Sequence, residues 1–451
     1  MSKSAQAAAQ TITAQTISAQ TMAEIDDMRL DDRVKGVPGG TRDLRLGDVG
    51  RQGWNLLKED LPLPVAVLKT GALDNNSRWM TQFLRATGAV IAPHGKTTMS
   101  PHLFQRQLAD GAWAITVATI GQLQIARRFG LKRLVLANQL IGRRAIAYVV
   151  AELAKDPDFE FYALADSLAG VAMVASEARR VGLSRPVNLL LEGGLMGSRT
   201  GCRTREDALA VAREIKSQSP WVALRGVEGF EGLVQGATME AREKIVTGFM
   251  DFLIAIAGDC QREKLFAAGP VILSAGGSAY YDIVAQRLAA AGIADAMVVI
   301  RSGCYLTQDS QLYRNFFARI RERSPYVAEL AGGLMPALEV WAYVQSRPEA
   351  GRLIVNLGRR DVSSDIDLPV PLSWFRPGNA GGPTPLTPGS HKVVELNDQH
   401  GHVVVPTDSP LQVGDMVAMG ISHPCTTFDK WQIMFLVDEA YGVTGAIRTF
   451  F

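Results

Sequence analysis

Lys96 stands in AVIAPHGKTTMSP, residues 89–101, where an apolar run ends at Pro93 and gives way at once to His94, Gly95, Lys96 and Thr97. A lysine at such a place ordinarily reaches solvent; it is also the side chain that bonds carbonyl carbons covalently. Two other stretches bear on the choice. SAGGSAYYD (274–282) and RSGCYLTQD (301–309) each follow an apolar run and place glycine where backbone N–H groups can approach phosphate oxygens, although each also reads as a tight turn. A carbonyl-seeking lysine and a phosphate cradle are the two ends of one cofactor, pyridoxal 5′-phosphate (PLP), whose ring is an electron sink for a carbanion at Cα.

A second chemical spot is GISHPCTTFDKW, residues 420–431. On an extended segment His423 and Cys425, two apart, face the same way. Imidazole and thiolate together suit a divalent metal, zinc above all, with manganese or magnesium as alternatives, and two ligands leave positions open for water or substrate. A core cysteine beside a hydrogen-bonded histidine fits the same pattern. His400, in NDQHG, is a candidate neighbour; His391 and His402 read as surface residues.

The elements that must position these groups alternate. Eight β-rich runs, VIAPHGK (90–96), AITVAT (114–119), RLVLANQ (133–139), FYALADS (161–167), VNLLLEGG (187–194), LRGVEGFEG (224–232), VILSAGG (271–277) and AMVVIRSG (296–303), are separated by amphipathic helical segments. That pattern predicts a parallel (β/α)8 barrel, with an open doubly wound sheet as the alternative. In a barrel, function gathers at the C-terminal strand ends, here Lys96, Thr119, Asn138, Asp166, Glu192, Glu228 with Glu231, Gly276–Gly277 and Arg301. After residue 330 the runs ALEVWAYVQSR, GRLIVNLG, HKVVELND, GHVVVP, DMVAMGIS and QIMFLVD lack helical spacers, which predicts a mostly antiparallel β domain. The expected organisation is a flexible tail over 1–25, a lead-in over 26–60 that pairs with the β domain, the barrel over 61–330, and the β domain with the metal pair over 331–451. The Pro/Gly-rich stretch 376–390 reads equally as a pocket-shaping loop or an insertion.

The chain has 451 residues, a formal net charge of +2 and no dense basic block, which argues against nucleic acid or an anionic membrane as partner. No apolar run reaches membrane-spanning length. The four cysteines, Cys202, Cys260, Cys304 and Cys425, are far apart and form no CxxC, as in a reduced cytoplasmic chain. Residues 1–22 lack the apolar centre of a secretory signal and the arginines of a transit peptide.

From about Trp54 onward, IAPHGKTTMSP, TVAT, LANQL, EGGLMGSRTGCR, GVEGFEG, LSAGGSAYYD, IRSGCYLTQD, NDQHG and SHPCTTFDKW resemble the fold-type III PLP enzymes of the D-serine dehydratase and D-threonine aldolase group, in particular the amino acid deaminase, D-serine deaminase-like subgroup. The resemblance implies an alanine racemase-like barrel plus a β domain and a homodimer. It implies Lys96 as the PLP lysine, His94 as part of its motif, and Arg199 near the cofactor's phenolic oxygen. It places Gly276, Gly277, Ser278, Gly303 and Cys304 around the phosphate, with Tyr305 as a further candidate, and it makes His423 and Cys425 the metal pair of the dehydratases. D-threonine aldolases carry a carboxylate where Cys425 stands, and many members carry a histidine where this chain has Thr98.

Elimination of the 3-hydroxyl from a D-3-hydroxy amino acid, giving a 2-oxo acid and ammonia, is therefore expected, with a metal to help a poor leaving group depart. Retro-aldol cleavage to glycine and an aldehyde needs the same groups. Racemisation would leave the metal idle, and a PLP carrier without turnover would not need one.

Overall fold

The computed structural model describes residues 15–232 and 234–451; of the predicted tail, residues 1–14 lie outside it. The eight predicted runs are the eight strands of one parallel sheet: Val90–Ile91, Ile115–Val117, Arg133–Gln139, Glu160–Ala165, Val187–Gly193, Val222–Gly229, Val271–Ala275 and Ala296–Ile300. Each strand pairs with the next in sequence from the second to the eighth, and the eighth pairs with the first. The ring closes between first and second: Trp113 N donates to Ile91 O at 2.8 Å, Thr116 N to Pro93 O at 2.9 Å, and His94 bridges Thr116 in parallel. It is a closed (β/α)8 barrel, not an open sheet.

The intervening helices start and stop where local chemistry dictates. Thr119, Ser167, Thr204 and Thr238 accept the backbone N–H of Gln122, Gly170, Asp207 and Ala241, satisfying donors that a helix start leaves orphaned. Helix Leu168–Val181 ends on Gly182 at φ +67°, a left-handed conformation cheap only for glycine. Inside the barrel, Ala92, Trp113, Ala114, Val135, Tyr162, Leu164, Leu190, Ile272 and Val299 form a packed apolar layer.

The tail expectation fails for residues 15–25. Ala19–Asp26 is a helix, and Ile17 and Ile25 are buried. Gln15 enters the barrel's N-terminal end, where its Oε1 accepts Arg133 N at 2.9 Å and Lys132 N at 3.1 Å. A composition of Ala, Gln and Thr hides this because the docking rests on one buried amide and two isolated isoleucines, not on a continuous apolar stripe.

The second unit is a largely antiparallel sheet around the long strand Leu338–Glu349, which pairs with Met416–Gly420, Arg352–Val355 and Val65–Lys69. Val65–Lys69 lies within the span assigned to the barrel, yet it joins this sheet, also running parallel to Ile433–Val437. Its fully buried VAVL run suits a strand covered on both faces, and periodicity alone does not say in which sheet. The lead-in reaches the same sheet through a bridge between Asn55 and Gly442. The stretch 376–390 contributes Thr384–Pro385, paired with Ser373 and Trp374.

Two contacts carry the β domain to the barrel mouth. Ser310 N, in the loop after the eighth strand, donates to Ile421 O at 2.9 Å. Gly420 has no room for a side chain, since a Cβ there would lie 2.4 Å from Ser310 Oγ. The segment that follows, including His423 and Cys425, is thereby laid across the strand ends. Among the described residues, no helix is long and apolar enough to cross a membrane.

Candidate active site

The strand ends open into one cavity of about 1110 Å³. His94, Lys96, Arg199, Gly277, Ser278, Gly303, Cys304, His423 and Cys425 all line it. Nine residues named from the sequence, His94 and Cys425 being 331 positions apart, thus face a single space. Gly276 and Tyr305 do not. Gly276, at φ +114°, turns the loop that presents Gly277, and Tyr305 is packed in the core beside Gln107.

Lys96 sits on a short 3₁₀ turn, Gly95–Thr97, directly after the first strand. Gly95 is enclosed by Phe104 and Ile115, so the turn is fixed from below. His94 is partly buried, with its Nδ1 enclosed and without a partner; burial, with Arg301 and Lys96 nearby, pushes its pKa well below the usual value, which favours the neutral imidazole. Gly303 packs on the backbone at His94: a Cβ would stand 2.6 Å from His94 O and 3.0 Å from His94 N. Gly303→Ala is therefore expected to force the first and eighth strand ends apart, costing about 1–3 kcal/mol of stability and lowering cofactor retention, read by thermal melting and cofactor content after dialysis.

The expected phosphate cradle is only partly open. Gly277 N already donates to Glu231 Oε1 at 2.8 Å, while Ser278 Oγ accepts Cys304 N at 3.3 Å and Ser302 Oγ donates to Gly277 O at 2.9 Å. Glu231 Oε2 is buried without a partner. Arg199 leans over Phe230, its guanidinium carbon 4.2 Å from the ring centroid. Its loop is tied down by Glu192, which accepts Thr200 Oγ1 at 2.8 Å and Gln139 Nε2 at 2.5 Å.

Glu192, Glu228, Glu231 and Arg301, foreseen as strand ends but given no role, form the floor of the cavity. Glu228 is ion-paired with Arg301, and both are almost wholly buried. Arg301 also donates to Gly229 O at 3.1 Å, while its Nε is unpartnered. Burial, reinforced by the neighbouring Glu192 and Glu231, outweighs Arg301 and raises the Glu228 pKa to about 8. An unfolded glutamate releases its proton near 4.5, so between about 4.5 and about 8 the native state binds the extra proton and stability falls as pH rises. Melting of the cofactor-free protein between pH 5 and pH 8 should show this fall, and Glu228→Gln should flatten it. Thr119 and Asp166 are not part of the lining; Thr119 caps a helix and Asp166 accepts Gly201 N at 3.0 Å.

Also lining the cavity, His423 pairs its Nδ1 with Asp365 Oδ2 at 2.6 Å and hydrogen-bonds Cys425. These partners raise the His423 pKa to about 9 against the effect of burial. The contact with Cys304 and the His423 imidazolium hold the Cys425 thiol well below its usual pKa. Cys425 Sγ lies 3.4 Å from Thr97 Oγ1 and 3.8 Å from Cys304 Sγ. The segment is not extended, as the spacing suggested: Cys425 opens a one-turn helix, Cys425–Phe428, after Pro424. The two side chains meet all the same, because the turn brings the sulfur back toward the ring. His400 is exposed at a hairpin turn and does not line the cavity. Among the described residues, no three His, Cys, Asp or Glu side chains stand preassembled as a metal cage. Asp365, in SSDID, follows no recognisable strand-end pattern and escaped sequence reasoning, while Thr97, next to Lys96 at the first strand end, was given no role.

The sequence family described as a putative serine dehydratase domain matches residues 337–437. No curated protein matches the chain. Among solved structures, D-threonine aldolase from Filomicrobium marinum is 19% identical, with 88% of this chain and 97% of that one covered and a TM-score of 0.71. D-threo-3-hydroxyaspartate dehydratase from Delftia sp. HT23 is also 19% identical, with 88% and 99% covered and a TM-score of 0.67. Alanine racemase from Bacillus anthracis is 14% identical, with 85% and 97% covered and a TM-score of 0.52. At these identities the structures share the fold, and the family match over residues 337–437 agrees with the dehydratase and aldolase group that the motifs resemble.

Proposed function

We propose that this chain, whose C-terminal part matches the putative serine dehydratase domain, is a PLP- and divalent-metal-dependent lyase of D-3-hydroxy amino acids. The reaction we propose eliminates the 3-hydroxyl and yields a 2-oxo acid and ammonia. The observation that carries this reading is the shared cavity: Lys96 and the His423–Cys425 pair both line it, with Cys425 against Thr97 beside Lys96, so a substrate's Cα and 3-hydroxyl can be served at once.

The residues present fit both groups. Lys96, Arg199, Ser278 and the close backbone of Gly303 would hold PLP, which when bound supplies the electron sink for a carbanion at Cα. A low-pKa thiol and an imidazole would hold a divalent ion, zinc by its softness, which supplies Lewis acidity toward the leaving hydroxyl. Lys96 takes the Cα proton as general base. Asp365 holds His423 through Nδ1, which leaves Nε2 as the nitrogen that would take the metal. Arg199, in the loop that the Glu192–Thr200 bond ties down, lines the cavity and would offer its positive charge to an anionic group of the bound molecules.

The likeness to D-threonine aldolase supports a second reading, Cα–Cβ cleavage to glycine and an aldehyde at the same site. Product analysis with D-serine and D-threonine separates the two. Ammonia with a 2-oxo acid is expected; glycine with acetaldehyde overturns elimination in favour of the aldol route. We also propose that the enzyme is a homodimer.

A further inference from the structure

Cys304 was expected to serve a phosphate, yet its sulfur turns elsewhere. Its backbone N–H does face the loop after the seventh strand, donating to Ser278 Oγ. Its Sγ, buried, lies 3.8 Å from Cys425 Sγ and 3.9 Å from Thr97 Oγ1, at the cavity wall that carries His423. The two sulfurs come from separate units, the barrel's eighth-strand loop and the β domain's one-turn helix. They are brought together by the bond from Ser310 to Ile421 and the contact at Gly420.

Their separation has a chemical meaning. Two thiolates bound at about 2.3 Å to one tetrahedral zinc ion stand about 3.8 Å apart. A thiol–thiol hydrogen bond spans a similar distance, so the spacing alone leaves the two arrangements to be told apart. What weighs for the metal is the third group: His423 is already fixed through Nδ1 by Asp365, the usual arrangement for an imidazole that ligates through its other nitrogen. The three side chains are not preassembled, because His423 is hydrogen-bonded to Cys425. A cation would take the place of the proton between them.

We infer that Cys304 is a third metal ligand, giving a Cys₂His donor set with one position open to the substrate's hydroxyl. The inference rests on the metal reading proposed above. A two-thiolate, one-imidazole set with an open position is a catalytic zinc arrangement, and its softness selects zinc or cobalt over magnesium or manganese.

Cobalt(II) substitution of the PLP-loaded full chain tests this, since the sulfur-to-cobalt charge-transfer band grows with the number of bound thiolates. Cys304→Ser is expected to keep the metal and lose about half of the band per cobalt; Cys425→Ser should lose a similar part and Cys304→Ser/Cys425→Ser all of it. A Cys304→Ser protein with the full band, beside a Cys425→Ser protein with none, overturns the inference and leaves the His423–Cys425 metal reading standing. A wild-type protein that binds no cobalt or zinc overturns both. Should Cys304→Ser fail to fold, X-ray absorption of the zinc-loaded wild type decides: two sulfur scatterers are expected, and one contradicts the inference.

Discussion

Lys96→Ala is expected to abolish turnover of D-3-hydroxy amino acids, lowering kcat by roughly 10⁴-fold or more, while thermal stability stays within about 1 kcal/mol of wild type. Two functions are lost together: the covalent hold on the cofactor and the base at Cα. The fold does not depend on this side chain. Lys96 projects from a short turn that Gly95, Phe104 and Ile115 fix independently. Lys96→Arg separates charge from chemistry, since guanidinium keeps the positive charge yet cannot give up its proton to act as a base. Both variants should lose the visible absorption of bound cofactor that the wild type shows. Activity within tenfold of wild type in Lys96→Ala would place the base on another residue.

Cys425→Ser is the second large effect. Losing the thiolate, or stripping the metal with a chelator, should lower elimination by roughly 10²–10³-fold, the several kcal/mol that Lewis acidity contributes to a departing hydroxide. Exchange of the substrate's Cα proton with deuterated water should continue, because the substitution leaves Lys96 itself in the cavity lining. That split between proton exchange and elimination is what distinguishes lost leaving-group assistance from a collapsed site. Added zinc should rescue the chelated wild type but not Cys425→Ser. Loss of exchange and elimination in parallel would contradict the division of labour between Lys96 and the metal pair.

Much of this was legible in the sequence, for identifiable reasons. Parallel strands buried on both faces read as apolar runs, so eight of them could be counted, and barrel logic then placed Lys96, Glu228 and Arg301 at one rim. His423 and Cys425 were found through donor chemistry and short spacing, even though the backbone there is a turn and not a strand. What escaped depends on contacts distant in sequence. Gln15 docks through one amide, Val65–Lys69 could have joined either sheet, and Asp365 lies 58 residues from the histidine it orients. Tyr305 shows the converse error: its motif neighbour Cys304 lines the cavity, but the chain turns and packs the ring into the core. Glu231 on the Gly277 amide was equally unforeseeable, because a buried carboxylate bonded to a glycine loop leaves no mark in residue order.

The central claim, that Lys96 carries the cofactor in the cavity it shares with His423 and Cys425, is tested most directly by borohydride reduction of the PLP-loaded protein, proteolysis and mass mapping. The account predicts a pyridoxyl-phosphate mass on the peptide containing Lys96 and on no other. The label on a different lysine, or no fixed label in a protein that retains PLP, would contradict it.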